Sequence, residues 1–256
     1  MKINRIINYI DKKIGNKFRV NLYKPILPSS KDDINHYEKK IWSQNNEDGI
    51  IEYIFSVIGT TNKYFVEFGV QTGDECNTRY LLEKKDWRGL MMDGGDNKKP
   101  HIKQEFITAE NIEVLFKKYN VPKSFDLLSI DIDGNDYYVW KAITNYNPRV
   151  VVIEYNSSCN PMESQVIKYD PDFKWDGTNY FGASLLALKK LGETKGFSLL
   201  GCDTNGSNAF FIRDDQWNEN LKKKNIEEAY MPPQYGKIID GRHVGHPRSN
   251  KKMIDI

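Results

Sequence analysis

Apolar residues in this chain gather in two kinds of run that alternate along most of its length. The first kind is short and nearly continuous: Phe65, Val66 and Phe68, then RGLMMD at 88–93, FDLLSID at 125–131 and RVVVIEY at 149–155. Runs of this length, rich in β-branched and aromatic residues, predict strands buried on both faces. The second kind spaces its apolar residues three and four apart, as a helix does. Residues 43–58 place Ile50, Ile51, Ile54, Phe55 and Ile58 on one side, with Ser43 as the expected N-cap and Glu47 and Asp48 in the first turn. Further helices are predicted over 74–85, over 111–119, after Asp136 to about Tyr146, and over 181–196 with Gly196 as the C-cap. A short strand is expected at 104–108. Near the end, 197–202 and 209–213 flank a turn at 203–207 and predict a hairpin. Strands alternating with helices predict an α/β fold: a Rossmann-like, mostly parallel sheet of seven strands closed by an antiparallel hairpin, with helices on both faces.

Three stretches fall outside this alternation. Residues 1–15 set Ile3, Ile6, Ile7, Ile10 and Ile14 at helical spacing among Lys2, Arg5, Lys12 and Lys13, the pattern of a basic amphipathic helix. Such a helix can lie on an anionic membrane, or pack on its own domain or a second subunit. With neither Trp nor Phe on its apolar face, packing is favoured, either on its own domain or on a second subunit, the latter giving a homodimer through this helix. Residues 157–180 form a polar insertion longer than an ordinary connection. Residues 231–256 are basic but carry Met231 and Tyr235, too apolar for a purely solvated tail. The chain thus divides into an N-terminal extension (1–41), a central domain (42–230) and a C-terminal segment (231–256) expected to close over the site.

Composition narrows the classes of function. With 256 residues, 39% hydrophobic and 28% charged, there is enough chain for one sizeable α/β domain. A net charge of +2 argues against a partner that is a nucleic-acid polymer. Three cysteines without metal-ligand spacing predict free thiols in a reducing compartment. No apolar run approaches the roughly 18 residues of a transmembrane span, and the N-terminus lacks the apolar core of a signal peptide. The expected location is cytoplasmic.

Candidate chemistry sits at the strand ends. Glu67 closes the first strand and is followed by Gly69 and Gly73, where a ligand can approach the backbone. In open α/β sheets ligands bind beyond the carboxyl ends of strands, where the strand order reverses. The spacing Glu67-x-Gly69-x-x-x-Gly73 resembles the first motif of class I S-adenosylmethionine-dependent methyltransferases, with Gln71 in place of the usual middle glycine. A nicotinamide site would need GxGxxG here, and the chain has GVQTG. Asp93 ends the second strand, where an acid accepts hydrogen bonds from ribose hydroxyls. Thr108 and Ala109 fall, by position, beside an adenine ring. The fourth and fifth strands end in Asp131, Asp133 and Asp136, and in Glu154 and Asn156, hard oxygen ligands suited to magnesium. The DIDGND run is not a calcium loop, because it follows a strand and lacks the distal glutamate.

Taken in order, SQNNEDGIIEYIF, FVEFGVQTGDECNTRYLLE, FITAENI, LLSIDIDGNDYYVW, RVVVIEYN and GASLLALKKLGETKGFSLLGCDTNGSNAFFIR resemble the FkbM-type branch of class I methyltransferases, including relatives associated with surface glycans. The resemblance covers about residues 42–213. It implies S-adenosylmethionine as cofactor, with methyl transfer most often to oxygen. Carried over, Gln44 would border the amino-acid end of the cofactor, and Glu67, Gly69, Gln71 and Gly73 its methionine and ribose. Asp93 would hold the ribose hydroxyls, Thr108 and Ala109 would border the adenine, and Asp131 would meet the amine. Some related sugar methyltransferases hold magnesium at the ends of the fourth and fifth strands, which here means Asp131 or Asp133 with Glu154. The sulfonium is an activated donor, so the protein's tasks are to position and deprotonate the acceptor. His243, His246 and Asp133 are the expected catalytic candidates. An anionic small-molecule acceptor, nucleotide-linked or phosphorylated and destined for a surface polysaccharide, would meet Arg242 and Arg248, with Asn156, Trp175 and Tyr180 on the opposite wall. The alternative is a catalytically inactive cofactor-binding or interaction module of the same fold.

Overall fold

Val150, Val151, Val152 and Ile153 are all without solvent exposure, so the strand they form must lie inside a sheet covered on both sides. A computed structural model describes residues 33–96 and 99–256 and shows that sheet. Its first five strands are β1 (Tyr64–Phe68), β2 (Arg88–Asp93), β3 (Ile102–Gln104), β4 (Ser124–Ile130) and β5 (Asn147–Glu154). A short β6 (Gln165–Val166) lies outside it, and β7 (Phe197–Cys202) and β8 (Asn208–Arg213) complete it. The order is β3-β2-β1-β4-β5-β8-β7. β1 to β5 pair in parallel, while β8 runs antiparallel between β5 and β7. The fold is Rossmann-like, as the alternation of runs predicts.

Alternation within the strands divides the core in two. Val66, Leu128, Ile130, Val151 and Ile153 face one side, under α3 (Ile112–Lys118), α4 (Asp136–Ala142) and α5 (Leu185–Thr194). Phe65, Leu127, Val150, Val152 and Phe210 face the other, under α1 (Glu47–Ile58) and α2 (Arg79–Lys84). At the amino ends of the strands, buried Asp126 accepts bonds from the backbone N–H groups of Thr61, Asn62 and Lys63 and pairs with Arg149 at 2.7 Å. Arg149 also donates to the carbonyls of Ile58 and Gly59. This buried pair ties α1 to the entry of β1 and to β4 and β5, opposite the ligand-binding edge.

Element boundaries differ from the sequence expectation where side chains take over backbone bonds. α1 starts at Glu47, after Asn46 in a left-handed conformation, and Ser43 is not its N-cap residue. Ser43 still accepts the N–H of Asp48, whose carboxylate accepts in return from Ile41, Trp42 and Ser43. α2 starts at Arg79 instead of Asp74, because Glu67 captures the N–H groups of Asn77 and Thr78 and holds 69–78 as a loop. β3 is Ile102–Gln104, upstream of the expected 104–108: Asn111 accepts from the N–H of Thr108 and donates to the carbonyl of Phe106, folding that stretch into a turn. α4 ends at Ala142 and α5 begins at Leu185, where Ser184 caps it. The expected amphipathic helix at 1–15, and the homodimer through it, lie outside the described residues. After α6 (Ile226–Ala229), the C-terminal segment forms a small hairpin, β9 (Ile238–Ile239) with β10 (Arg242–His243), and ends in β11 (Ile254–Asp255) paired to β6. Among the described residues, no helix is long and apolar enough to cross a membrane.

Candidate functional site

β1 lies between β2, which leads outward one way, and β4, which leads the other, so the strand order reverses between β1 and β4. That is where an open α/β sheet leaves a crevice at its carboxyl edge. The loops there are laced closely together. Gly69 donates to the carbonyl of Met92, Asp131 to that of Phe68, and Glu105 to that of Asp93. Gly69 has φ +82°, and a Cβ on it would sit 1.2 Å from the carbonyl oxygen of Asp131, so only glycine fits. Gln71, two residues on, has φ 48° and takes the left-handed turn that the missing motif glycine would take.

Above this crossing is a cavity of about 420 Å³, walled by Gly69, Gln71, Asp93, Phe106, Asp131 and Asp133 from the sheet edge and by Phe173, Lys174 and Trp175 from the insertion. Asp93 organises its floor: one carboxylate oxygen accepts the N–H of Gln71 and the other the N–H of Gly95, each at 2.7 Å. Phe106 is 49% exposed and Trp175 37%, and both rings line the cavity. The Trp175 ring is held in place by its Nε1 donating to the carbonyl of Thr178 at 2.7 Å and by an edge contact with Phe181.

A second recess of about 80 Å³ shares Gly69, Gln71 and Asp131 with the first and extends toward Gln44, Glu47, Glu67 and Asn208. Its wall is strongly acidic. Glu47 is buried, accepts from Asn208 and from the N–H of Asn45, and burial pushes its pKa up. Glu67 is buried too and its pKa is raised for the same reason. Both of its oxygens are engaged: they accept from the N–H groups of Asn77 and Thr78, the Thr78 hydroxyl and the Ser129 hydroxyl. A group entering this recess must bring positive charge or donors.

The carboxylates at the ends of β4 and β5 meet beside the larger cavity. Asp131, Asp133 and Glu154 each offer an oxygen within 4.8 Å of the others. Burial first, then mutual repulsion, drives Asp131 and Glu154 well above the ordinary carboxylate range. Oε2 of Glu154 is buried without a hydrogen-bond partner. Asp133 is the exposed member, in a left-handed backbone (φ 56°), with its pKa raised by partial burial and opposed by His246. Asp136 stands apart from the trio in role: it accepts the N–H groups of Ile132 and Gly134 and shapes the loop.

The C-terminal segment packs behind Trp175 and does not itself line the cavity. His246 packs edge-on to Trp175 with centroids 4.5 Å apart and also touches Tyr235. Burial lowers its pKa, while nearby Asp133 raises it. The segment is clasped to the insertion: Asn179 donates its N–H to the carbonyl of Pro247 and accepts from the N–H of Ser249, and Lys251 pairs with Asp176.

Several candidate residues occupy other places than sequence position implies. Thr108 and Ala109 are not on the cavity wall; Phe106 and Ile107 are, two residues earlier, and Ala109 donates its N–H to the Tyr169 hydroxyl. Gly73 packs against Ile102 away from both cavities. Asn156 is buried and consumed by structure, donating to the carbonyls of Asn179 and Phe181 and accepting from the N–H of Ser158. Tyr180 is buried beside Phe173, its hydroxyl accepting from the N–H of Lys168, so its ring has no free face for a substrate. Arg242 and Arg248 are exposed and do not line the cavity; Lys174 is the cation that does, among the described residues. His243 sits in β10 with Nδ1 buried and unpartnered, and it does not line the cavity either. Phe106, Phe173 and Lys174 were not singled out by the sequence. An unpaired aromatic just after the third strand is the signal that could have found the first.

No family model and no curated protein matches this chain. Among solved structures it is similar to the CMeT domain of the citrinin polyketide synthase, with 12% identity and a TM-score of 0.39 over 66% of this chain and 51% of that one. It is also similar to a Streptococcus thermophilus protein named as a hemolysin, at 13% and 0.40 over 75% and 74%. A third similarity is to the small RNA methyltransferase HEN1, at 14% and 0.35 over 70% and 26%. The chain thus spans about half the length of the first and about a quarter of the third. Likenesses this distant say nothing about chemistry, and the residues of the site must carry it.

Proposed function

We propose that this protein is an S-adenosylmethionine-dependent methyltransferase. The observation that carries the reading is the cavity at the sheet's switch point, where the Asp93 carboxylate, fixed by two loop N–H groups, lies between a glycine turn and the exposed ring of Phe106. This combination suits a nucleoside: a carboxylate for the ribose hydroxyls and an aromatic face for the base. The acidic recess beyond Gly69, walled by Gln44, Glu47 and Asp131, suits the ammonium group of the cofactor's amino-acid end. A phosphate-bearing dinucleotide would be repelled by the same wall.

The methyl group would then project toward Asp133, His246 and Trp175. His246, its pKa lowered by burial so that the neutral imidazole is favoured, with Asp133 opposing, is the base that takes the acceptor's hydroxyl proton, and Trp175 orients the acceptor. The orphaned Glu154 oxygen and the repulsion among Asp131, Asp133 and Glu154 fit a hard divalent cation such as magnesium, which these three residues would hold. Bound there, it would lower the pKa of a coordinated hydroxyl and offset acceptor charge. With Lys174 on the same wall, the acceptor we infer is an anionic small molecule, phosphorylated or nucleotide-linked, methylated on oxygen, with a surface polysaccharide as its destination. Calorimetric titration with S-adenosylmethionine is the direct test. A protein that binds neither it nor S-adenosylhomocysteine is not a methyltransferase. One that binds the cofactor but transfers no label to any small molecule of a cell extract is the inactive module.

A further inference from the structure

The hairpin β9–β10 leaves the body of the protein and presents apolar side chains to solvent. Every residue from Gly236 to Arg242 is exposed, with Ile238 at 60%, Ile239 at 47% and Val244 at 42%. Its turn, Asp240-Gly241, has φ 50° and 74°, the two-residue geometry that matches the twist of paired strands, so the arm is a built hairpin and not a loose loop. Two bonds extend the ladder toward its base, from the N–H of Val244 to the carbonyl of Lys237 and from the N–H of Gly245 to that of Tyr235. Strand alternation and the pairing of Arg242 with Ile239 put Lys237, Ile239, Arg242 and Val244 on one face. Neither Lys237 nor Arg242 pairs with an acid among the described residues. The segment 231–256 carries five cations against two acids, in a chain whose whole net charge is +2.

We propose that this hairpin is a membrane-docking arm that seats its isoleucines among the headgroups and upper acyl chains of an anionic bilayer. Ile239 and Val244 share a face with the unpaired Lys237 and Arg242, and Ile238 projects from the opposite face beside the turn, so an arm entering tip-first matches the apolar and anionic layers of such a surface. Lys and Arg can lay their alkyl stems along the apolar layer while their charges stay at the phosphates. A protein partner fits less well. A specific protein interface takes roughly 800 Å² from each side, which a two-residue-per-strand arm cannot supply alone. A second copy would set Lys237 and Arg242 against their own like charges. The base of the arm packs Tyr235 on His246 and His246 on Trp175, so docking would bring the Trp175 wall of the cavity near the membrane.

The test is cosedimentation of the full chain with vesicles of phosphatidylcholine, alone or mixed with phosphatidylglycerol, compared with the variant Ile238→Ser/Ile239→Ser and with Lys237→Gln. We expect binding to the mixed vesicles alone, weakened by salt. The double variant should lose at least tenfold in partitioning, and the lysine variant about fivefold, the effect of one basic residue near an anionic surface. Thermal midpoints should match the parent's, since these side chains touch no core. The readout does not involve the cofactor, so it stands or falls apart from the methyltransferase reading. Absence of binding to mixed vesicles overturns the proposal, as does equal binding to neutral ones. Undiminished binding by the double variant assigns membrane contact elsewhere, the basic stretch 1–15 being the obvious place, and also overturns it. A concentration-dependent dimer that the isoleucine substitutions dissolve would make the arm a contact between copies instead.

Discussion

Asp93→Ala is the substitution that tests the cofactor assignment most sharply. Each oxygen of this carboxylate already accepts one backbone N–H, from Gln71 or from Gly95, at 2.7 Å. A carboxylate oxygen has two lone-pair directions, so each keeps one for a ribose hydroxyl. Hydrogen bonds to a charged group contribute about 1.5–3 kcal/mol each, and water recovers part of the loss at a half-exposed site. The net penalty should therefore be about 1.5–3 kcal/mol, or roughly 10- to 150-fold in Kd. Gln71 and Gly95 are exposed, so their N–H groups will find water, and stability should fall by no more than about 1 kcal/mol. Calorimetry with S-adenosylhomocysteine measures the penalty, and urea unfolding measures the stability. An analogue lacking both ribose hydroxyls separates direct contact from loop shaping: parent and variant should bind it equally. Unchanged affinity for the intact cofactor, or the same penalty with the analogue, would refute the ribose contact.

Three other outcomes follow from the acidic edge and its opposite end. Glu154→Gln should raise the thermal midpoint in EDTA, because it removes a charge repelled by Asp131 and gives the buried Oε2 position a donor; the same variant should lose any stabilisation the parent gains from magnesium. A parent midpoint indifferent to magnesium would remove the metal site. Asp136, pushed up to about 6 by burial, holds a proton in the folded state that the unfolded chain releases near pH 4. Its contribution is therefore full below about pH 4 and is lost as pH rises through about 6, a swing on the order of 3 kcal/mol, which Asp136→Asn should flatten in denaturation curves taken across that window. Arg149→Ala leaves Asp126 buried without its counter-charge and should cost about 3–5 kcal/mol, read by urea unfolding, with cofactor affinity unchanged.

The sheet was legible because its strands other than β3 are local apolar runs whose period needs no partner to read; β3, with one apolar residue in three, was misplaced. The mostly parallel sheet with its antiparallel closing hairpin followed from the alternation of strand and helix, and the places of Glu67, Gly69, Asp93, Asp131 and Glu154 followed from standing at strand ends; the strand order itself did not. Boundaries were less legible wherever one side chain redirects backbone bonds over a distance. Glu67 delays α2 by capturing two N–H groups ten and eleven residues on, and Asn111 turns 106–111 away from the sheet. Both residue types are common enough at loops that their partners cannot be read from spacing. The cavity wall expected at Thr108 and Ala109 is formed by Phe106 and Ile107 for this reason: the earlier, shorter β3 moves the residues that overhang the cavity.

The side of the cavity facing the insertion was hidden for a different reason, because two segments far apart in the chain, with no regular period of their own, hold it in place. β11 pairs with β6 across about ninety residues of sequence, and Asn179 and Asp176 of the insertion hold Pro247, Ser249 and Lys251 of the tail. That clasp decides which polar residues face the cavity. It buries Tyr180 and Asn156 as structural ties, turns Trp175 and Lys174 inward, and brings His246 to the indole ring. A count of cations in the tail therefore misplaces the charge: Arg242 and Arg248 are outside the cavity, on a segment that reaches the cavity wall only through the His246 contact with Trp175. With Asp131, Asp133 and Glu154 opposite, an anionic acceptor can enter only if positive charge accompanies it, from Lys174 and from a cation on those carboxylates. Acceptor binding and cation binding should then be thermodynamically coupled, each tightening the other by the same factor.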